Sequence, residues 1–566
     1  MPEFIDRPVP RQAYEALTAQ HIHPVVARVL AARGMTSTRQ LDNALNQMLP
    51  LADMLHLDRM GQLLADAIGT GKRLLIVADY DSDGATACAL GVLALREIGA
   101  KVDFIVPNRF EYGYGLTPEI VQLAAARQPD ILITVDNGIA SVEGVEAAQA
   151  LGIKVMITDH HLPGPRLPAA VCIVNPNQPG CGFASKHLAG VGVMFYVVTQ
   201  LRAELRARGH FKSRPEPNLA AYLDLVALGT VADVVPLDHN NRVLVQQGLT
   251  RIRAGRARPG IQALLKAAGR EASKLTVQDL GFVLGPRLNA AGRLSDMSLG
   301  IECLITPDHS RAAQLAVELD RLNRERREIE SDMRDSALAH LERFDGAPGC
   351  GVCLYDDSWH QGVIGILAAR LRERLFRPVI AFAQGAPGEL KGSGRSVPAL
   401  HLRDALDLVS KRHPDLILRF GGHAAAAGLS IASDRFEAFA SAFDAVARER
   451  LTALDLLEQV PTDGALTEAD FSFELVETLS DMIWGQGFPP PTFRDVFRID
   501  QQRIVGAKHL RLRLRKVGGS RLLDGILFGQ IGPLPVSVEA VYRLDINEYN
   551  GQRSVQAVVE HWQPHD

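Results

Sequence analysis

Three short segments concentrate acidic and imidazole side chains: Asp79-Tyr80-Asp81-Ser82-Asp83-Gly84, Val135-Asp136-Asn137-Gly138 and Thr158-Asp159-His160-His161. Carboxylate oxygens suit hard divalent cations, and an imidazole nitrogen shifts the preference from magnesium towards manganese. Asp79, Asp81, Asp83 and Asp136 supply the oxygens and His160 the nitrogen. Asp233, in Gly229-Thr-Val-Ala-Asp-Val-Val-Pro236, completes a second ligand set. Two such cations, Mn2+ or Mg2+, activate a water and stabilise the entering and leaving oxygens at phosphorus. One aspartate at a strand end is more often a helix cap or a turn residue. Three strand ends that agree with a histidine pair favour the metal reading. For His161 three roles stay open: phosphate contact, proton donor, or support for a ligand.

The elements that must position these side chains are legible around them. Each cluster follows a run of apolar, β-branched residues: Leu74 to Val77, Ile131 to Val135 and Ile153 to Ile157. Such runs predict buried strands of a parallel sheet covered on both faces. The clusters then fall at the carboxyl ends of the strands, the edge where open α/β sheets place their sites. Successive odd positions share one face of a strand, so Asp79, Asp81 and Asp83 are expected to point into one volume as the strand ends. Gly84 permits close backbone approach. Residues 72 to about 235 alternate strand and helix patterns, and the nearly all-apolar helix over Ala85 to Glu97 is expected to be buried.

Five regions follow from the patterning. Residues 1–70 read as a helical cap, 71–309 as the catalytic α/β lobe, and 310–346 as a long, solvated connector helix. Residues 347–455 form a second α/β lobe, and 456–566 a β-barrel of the OB type. Lys391-Gly-Ser-Gly-Arg-Ser396 reads as a glycine-rich loop that cradles a phosphate, with Ser393, Arg395 and Ser396 as contacts. Gly421-Gly-His423-Ala424 reads as the opening of a helix whose N-terminus favours an anion, with His423 beside it. Trp359 and His360 suit a base stack or a phosphate contact, with a buried tryptophan as the competing reading. Arg109, Arg287 and Arg293 are available from the first lobe. In His509-Leu-Arg-Leu-Arg-Leu-Arg515 the alternation puts Arg511, Arg513 and Arg515 on one outer face of a strand. The final 66 residues hold nine Lys or Arg against six acids, which suits a nucleic-acid-binding barrel.

Composition sets the outer limits. At 566 residues the chain is too long for one core, and 47% hydrophobic with 22% charged residues describes an ordinary globular protein. A net charge of −4 argues against a wholesale nucleic-acid coat but leaves room for a local basic groove. Met1 to Asp6 lack the features of a signal peptide, and the apolar stretch Leu188 to Leu201 is too short to span a membrane. Cys350 and Cys353 form a C-x-x-C inside an apolar run, with no second pair nearby, which reads as a buried strand. A cytoplasmic, monomeric protein without a membrane partner is expected.

Asp81-Ser82-Asp83-Gly84-Ala85 resembles the opening motif of haloacid-dehalogenase phosphatases, but the later lysine and paired acids of that mechanism are missing from suitable strand ends. Asp159-His160-His161 together with Asp79 to Gly84 resembles the DHH phosphoesterase superfamily. Within it, Pro107-Asn-Arg109 with Glu111-Tyr-Gly-Tyr-Gly115, Leu188-Ala-Gly-Val-Gly-Val193, Gly285-Pro-Arg-Leu-Asn-Ala-Ala-Gly-Arg293, Ser358-Trp-His-Gln-Gly-Val-Ile-Gly365, Ser393-Gly-Arg-Ser396 and Gly421-Gly-His423 are similar to the RecJ family. That resemblance implies a 5′ exonuclease that degrades single-stranded DNA to mononucleotides in repair and recombination. It implies manganese or magnesium at Asp79, Asp81, Asp83, Asp136, His160 and Asp233, catalytic roles for Arg109 and His161, and DNA contacts at Arg287, Asn289 and Arg293. It also implies a DHH-associated lobe, an OB domain, and single-stranded-DNA-binding protein as a partner. Among other DHH hydrolases, a pyrophosphatase or cyclic-dinucleotide phosphodiesterase is expected to lack the basic barrel, so the barrel argues for a polymer substrate. A non-catalytic DNA-binding scaffold is disfavoured by the full ligand set.

Overall fold

The structure is a computed structural model that describes residues 2–108, 112, 115–342, 349–549 and 551–565. The chain divides into two compact units, Pro8–Asn323 with Ala469–Pro491, and Met1–Arg7 with Arg324–Glu468 and Thr492–Asp566. The first strand, β1 (Glu3–Asp6), belongs to the latter.

The first unit is built on a five-stranded sheet of β2 (Arg73–Ala78), β3 (Lys101–Ile105), β4 (Ile131–Val135), β5 (Lys154–Thr158) and β6 (Cys172–Val174). The spatial order is β3-β2-β4-β5-β6, and every pairing is parallel. β4 is buried along its whole length, as an apolar run covered on both faces must be. Helices Pro118–Ala125 and Val142–Ala150 cover one face through Ile120, Val121, Val145 and Ala148, packed on Leu75, Val77, Leu132 and Val155. The helices Ser82–Ile98 and Gly190–Ala207 cover the other. Their approach depends on Gly91, where an added Cβ would lie 2.9 Å from both Ile76 Cδ1 and Met194 Cε. The strand order reverses between β3 and β4 on either side of β2. The ends of β2 and β4 therefore flank the switch-point crevice of an open α/β sheet.

A further helix, Leu223–Ala232, is buried from Leu223 to Thr230. Asp224 within it receives the Arg258 guanidinium (Nη2 to Oδ1, 2.7 Å) and the Arg258 backbone N–H (2.9 Å to Oδ2). That internal ion pair fixes the helix whose last turn leads into Asp233.

In the second unit, β7 (Val352–Tyr355), β8 (Val379–Gln384), β9 (Glu389–Arg395), β10 (Arg419–Gly422) and β11 (Ala426–Ala432) form a sheet of order β10-β11-β9-β8-β7. Only β7 and β8 run parallel. β12 (Gln459–Thr462) pairs in parallel with β1. A closed barrel follows, β13 (Phe493–Val505), β14 (His509–Lys516), β15 (Leu522–Leu527), β16 (Ser537–Tyr549) and β17 (Gln552–Pro564), in the order β13-β14-β15-β17-β16. The two-lobed α/β expectation with a terminal barrel is met.

Several local expectations are corrected. The first 70 residues are not purely helical, because Glu3–Asp6 form a strand that finds a partner in β12. The connector helix runs from His309 to Glu342, and its expected end lies outside the described residues. It is less solvated than its charge suggests, since Asn323, Arg326 and Glu330 are buried and Arg326 Nη1 donates to Glu330 Oε2 at 2.6 Å. Lys391 to Arg395 lie on strand β9 rather than in a loop. Its glycines serve packing, for a Cβ on Gly392 would meet the Phe382 ring at 2.5 Å and one on Gly394 would meet Leu402 at 2.8 Å. Gly421 and Gly422 end strand β10 and turn into β11, so no helix opens there.

Candidate metal centre

Asp79 continues β2 by one residue, its N–H donating to Val135 O at 3.3 Å. Asp81 is the N-cap of helix Ser82–Ile98, and its Oδ1 accepts from Asp83 N (2.9 Å) and Gly84 N (3.0 Å). A Cβ on Gly84 would lie 2.5 Å from Asp79 O, so glycine is required for the chain to turn this tightly. The strand has thus ended before Asp81, and alternation is not what groups the three aspartates. Asp81 faces the site as a helix cap, and Asp83 from the first helical turn. The carboxylate of Asp83 is fully buried and accepts from Gly190 N (2.6 Å) and Val191 N (2.9 Å), the first amides of helix Gly190–Ala207. Those amides and the helix dipole favour its charged form.

Asp136 follows β4 with φ +62°, a left-handed conformation. Gly190 makes room for it, since a Cβ there would lie 2.6 Å from Asp136 Oδ1. Asp233 is the C-cap of helix Leu223–Ala232, which Gly229 allows to approach Thr86 and Asp83. The next residue, Val234, is also left-handed, at φ +63°. Asp136 and Val234 are strained positions on or beside the candidate ligands, where surrounding structure must hold them.

His160 joins these parts. Its Nε2 lies 3.1 Å from Asp136 Oδ1, 3.5 Å from Asp233 Oδ2 and 4.0 Å from Asp83 Oδ2. Three groups have ligand atoms close enough to share an ion: Asp79 with Asp81 and Asp136, Asp83 with His160 and Asp233, and Asp136 with His160 and His161. His160 Nε2 and Asp233 Oδ2 are buried without a hydrogen-bond partner among the described residues. Unsatisfied polar atoms of this kind are costly to bury, and a bound cation would satisfy both. The mixed oxygen and nitrogen donor set fits a divalent cation of the manganese or magnesium type.

The electrostatics agree. Burial, and then the charge of Asp81, push the Asp83 carboxyl up to about 7. Burial followed by the neighbouring aspartates raises Asp136 and Asp233 well above the usual carboxylate range. Burial and the His161 charge lower His160 to about 4, leaving it neutral and able to bind a cation. For His161, burial works downward, but the hydrogen bond and charge of Asp159 with the charges of Asp79 and Asp81 raise it to about 9.

Asp159 is the supporting residue that reading the sequence left without a role. Its Oδ1 accepts from His160 N (2.7 Å), His161 N (3.0 Å) and the His161 ring (Nδ1, 2.8 Å), while Oδ2 accepts from Ile139 N (2.9 Å). Asn137 Nδ2 donates to Val77 O and Val135 O, tying the ends of β2 and β4. Asn177 donates to His160 O at 2.6 Å and Asn175 to His161 O at 3.0 Å. Asn137 stands beside an acidic cluster in the sequence, whereas Asn175 and Asn177 follow the end of β6 and carry no such signal.

The remaining expected contacts divide sharply. Arg109 lies outside the described residues. Arg287 is buried, with Nη2 2.8 Å from Asp320 Oδ1 and Nη1 donating to Val283 O, so its guanidinium holds structure together. Asn289 Oδ1 accepts from Ser82 N (2.8 Å) and Oγ (3.0 Å), bracing the turn that carries Asp81 and Asp83. Arg293 is half-buried on helix Gly285–Leu294. Trp359 is only 4% exposed and packs with Met333, Val363 and Leu367, which makes it a core residue rather than a stacking surface. His360 is half-buried, its Nδ1 accepting from Gly362 N. Ser396 is buried and donates to Leu400 O. Ser393 and Arg395 do come together: Arg395 Nη1 donates to Ser393 Oγ at 3.3 Å, and both crowd Gly365 in the first turn of helix Ile364–Leu375. His423 is exposed on the turn after β10.

On the barrel, Arg511, Arg513 and Arg515 share the outer face of β14, as expected. Arg503 stands directly across from Arg511, and Arg498 across from Arg515. Asp524 lies 3.5 Å from Arg511 and 3.2 Å from Arg513, and Asp500 pairs with Arg515.

A parallel α/β unit with an edge cluster of aspartates and a histidine pair, accompanied by a second α/β sheet, defines a phosphoesterase of the DHH class. Residues 73–230 match the N-terminal domain of the DHH family, 349–449 the DHHA1 domain and 462–561 the RecJ OB domain. The single-stranded-DNA-specific exonuclease RecJ of Escherichia coli is 50% identical over 554 residues, 96% of each chain. The crystal structure of RecJ in complex with Mn2+ from Thermus thermophilus superposes with a TM-score of 0.85 at 30% identity, covering all of this chain and 80% of the other. The Mg2+ complex from the same organism gives 0.79 at 28% identity, with 100% and 79% covered. The chain belongs to the RecJ family. Among the described residues, no helix is long and apolar enough to cross a membrane.

The raised carboxyls carry a signed consequence for the metal-free protein. Above pH 6.5, His160 is neutral both folded and unfolded. Asp83, raised to about 7, and His161, raised to about 9, hold protons in the folded state that the unfolded chain has released, and Asp136 and Asp233 are shifted in the same direction. Stability therefore falls as pH rises from about 6.5 to about 9. Manganese needs the deprotonated ligands and binds only the folded state, so its stabilisation grows over the same range. Thermal melts in chelator and in Mn2+ across this window test both slopes. A chelated protein whose Tm is flat or rising, with a pH-independent metal increment, would refute the electrostatic picture.

Proposed function

We propose that the protein is a metal-dependent exonuclease that removes mononucleotides from the 5′ end of single-stranded DNA, with a role in repair and recombination. The observation that carries this reading is the Asp83–His160–Asp233 group, with its buried, unsatisfied nitrogen and oxygen atoms, at the sheet edge of a RecJ-family chain. Its relatives are named single-stranded-DNA-specific exonucleases, and related structures hold Mn2+ or Mg2+.

Asp79, Asp81, Asp83, Asp136, His160 and Asp233 would hold the cations, and Asp136 belongs to two of the three candidate ligand groups. Bound there, two divalent cations supply the Lewis acidity that makes a hydroxide nucleophile at neutral pH and stabilises charge on the phosphoryl oxygens. Asp159 fixes the rings of the histidine pair, so that His160 presents a neutral nitrogen. His161, oriented by Asp159, can hydrogen-bond a phosphoryl oxygen or protonate the departing 3′ oxygen. Arg395 and Ser393, at the N-terminus of helix Ile364–Leu375, take the 5′-terminal phosphate, which the helix dipole also attracts. The arginine face of the barrel tracks the strand. Like charges directly across a strand pair destabilise it, and a polyanion between them removes that repulsion. Single-stranded-DNA-binding protein is a partner by the same reading, and the enzyme works as a cytoplasmic monomer.

Replacing Asp136 by Asn removes a negative charge from the centre of the cluster. Cleavage of a labelled single strand should drop by orders of magnitude while the fold and strand binding persist. Near wild-type rates for Asp136→Asn across manganese concentrations would contradict the assignment.

Arg395→Ala should slow 5′-phosphorylated substrates far more than 5′-hydroxyl ones, with products released from the 5′ label first. Equal effects on both substrates would remove the phosphate pocket.

If Arg511, Arg513 and Arg515 each meet a phosphate, their joint replacement by Ala should flatten the slope of log K against log salt by about 2, at roughly 0.7 per phosphate. Long strands should suffer, whereas substrates of two or three nucleotides should be cut almost normally. An unchanged slope would make this face structural only.

A further inference from the structure

The segment before Gly285 is a π-helical turn, Leu280–Leu284, inserted ahead of helix Gly285–Leu294. Such turns are rare and concentrate at functional sites. Leu280 and Leu284 are fully buried, and Phe282, on the opposite side of the turn, is 76% exposed. A phenylalanine ring more often lies in a core, and Phe282 is the most exposed of the large hydrophobic side chains among the described residues.

The turn is clamped between two ligand-bearing segments. A Cβ on Gly281 would lie 3.2 Å from Val231 Cγ1, and one on Gly285 would lie 3.0 Å from Ala232 Cβ. The turn therefore rests on the end of helix Leu223–Ala232, immediately before Asp233. On its other side, Ser82 Oγ donates to Gly285 O at 3.0 Å, next to Asp81 and Asp83. Two glycines at these contacts let the wide turn settle against both. Val234, 61% exposed and directly after Asp233, adds a second apolar group at the same end of the helix.

We propose that Phe282 is a base-stacking platform for the bound single strand. The inference rests on the single-stranded-DNA reading above. Stacking suits an enzyme that must accept any sequence, because every base offers a π-face. A rigid perch serves better than a loop, since a ring fixed relative to the ligand-bearing segments sets the register of the strand at the site.

The test measures binding in chelator, where no cleavage occurs, using a 5′-phosphorylated oligothymidylate and an abasic strand of the same length. Phe282→Ala should weaken the base-bearing strand roughly tenfold, the order expected for one lost stack, and leave the abasic strand bound as by the parent. Phe282→Trp should restore affinity, and its emission, read against the parent's three tryptophans, should be quenched by the base-bearing strand alone. Equal weakening of both strands, no weakening, or an unresponsive tryptophan would overturn the proposal. Thermal melts check folding, and if the alanine variant fails to fold, the tryptophan variant still decides. Parallel digestion by the parent in Mn2+ separates the two readings. If the parent does not degrade single strands, the proposed function fails. If it does and affinity ignores Phe282, only the stacking platform fails.

Discussion

The arrangement depends on one unfavourable crowding: five aspartates whose charges converge on a buried volume at a sheet edge. Burial and mutual repulsion drive Asp83, Asp136 and Asp233 towards their neutral forms. Left to relax, such groups would part or take up protons. The surrounding structure prevents the first, because Asp81 is held by helix-cap amides, Asp83 by two amides of helix Gly190–Ala207, and Asp136 by a left-handed backbone beside Gly190. What remains is a protein whose site is stabilised by the cations it recruits.

Helix termini do much of this work. Helix Ser82–Ile98 begins on Asp81, helix Gly190–Ala207 begins on Asp83, and helix Leu223–Ala232 ends on Asp233. The positive ends of two helices meet the cluster and partly offset its charge. Each oxygen of Asp83 accepts one amide, and a carboxylate oxygen retains capacity for a further partner. Capping and ligation are therefore compatible in one side chain. For Asp81 and Asp83, accepting backbone amides leaves oxygen capacity for a cation, so the two readings of these aspartates do not exclude each other.

This explains which parts of the site were legible in the sequence. The β-branched runs before Asp79, Asp136 and Asp159 announce buried parallel strands, because a strand covered on both faces can hold nothing else. The identity of the candidate ligands follows from residue type at those ends. Their geometry does not, since Asp81 and Asp83 converge through a helix start while strand periodicity suggested a shared face. Trp359 and Arg287 show the same limit from the other side. Each has a side chain suited to nucleic acid, yet one is enclosed by the 333–383 core and the other by Asp320. Burial and ion pairing are tertiary facts that local pattern does not carry. Phe282 is the converse, a large apolar side chain that stands exposed on the side of its turn away from the buried Leu280 and Leu284.

The glycines carry a related lesson. Gly392 and Gly394 occur in a run that reads as a phosphate-cradling loop, yet they sit in β9 because neighbouring side chains need the space a Cβ would fill. The phosphate site proposed there is assembled differently. Ser393 and Arg395 project from β9 on the face opposite to the glycines, and the helix Ile364–Leu375 approaches them through Gly365. On a strand, residues 392 and 394 point one way and 393 and 395 the other. The same alternation thus gives β9 one face for packing against Phe382 and Leu402 and one face that carries Ser393 and Arg395 against Gly365. A flexible loop would hold neither arginine nor serine against a helix N-terminus without losing conformational entropy at each binding event. A packed strand bears that cost once, on folding, and offers the pair ready-made.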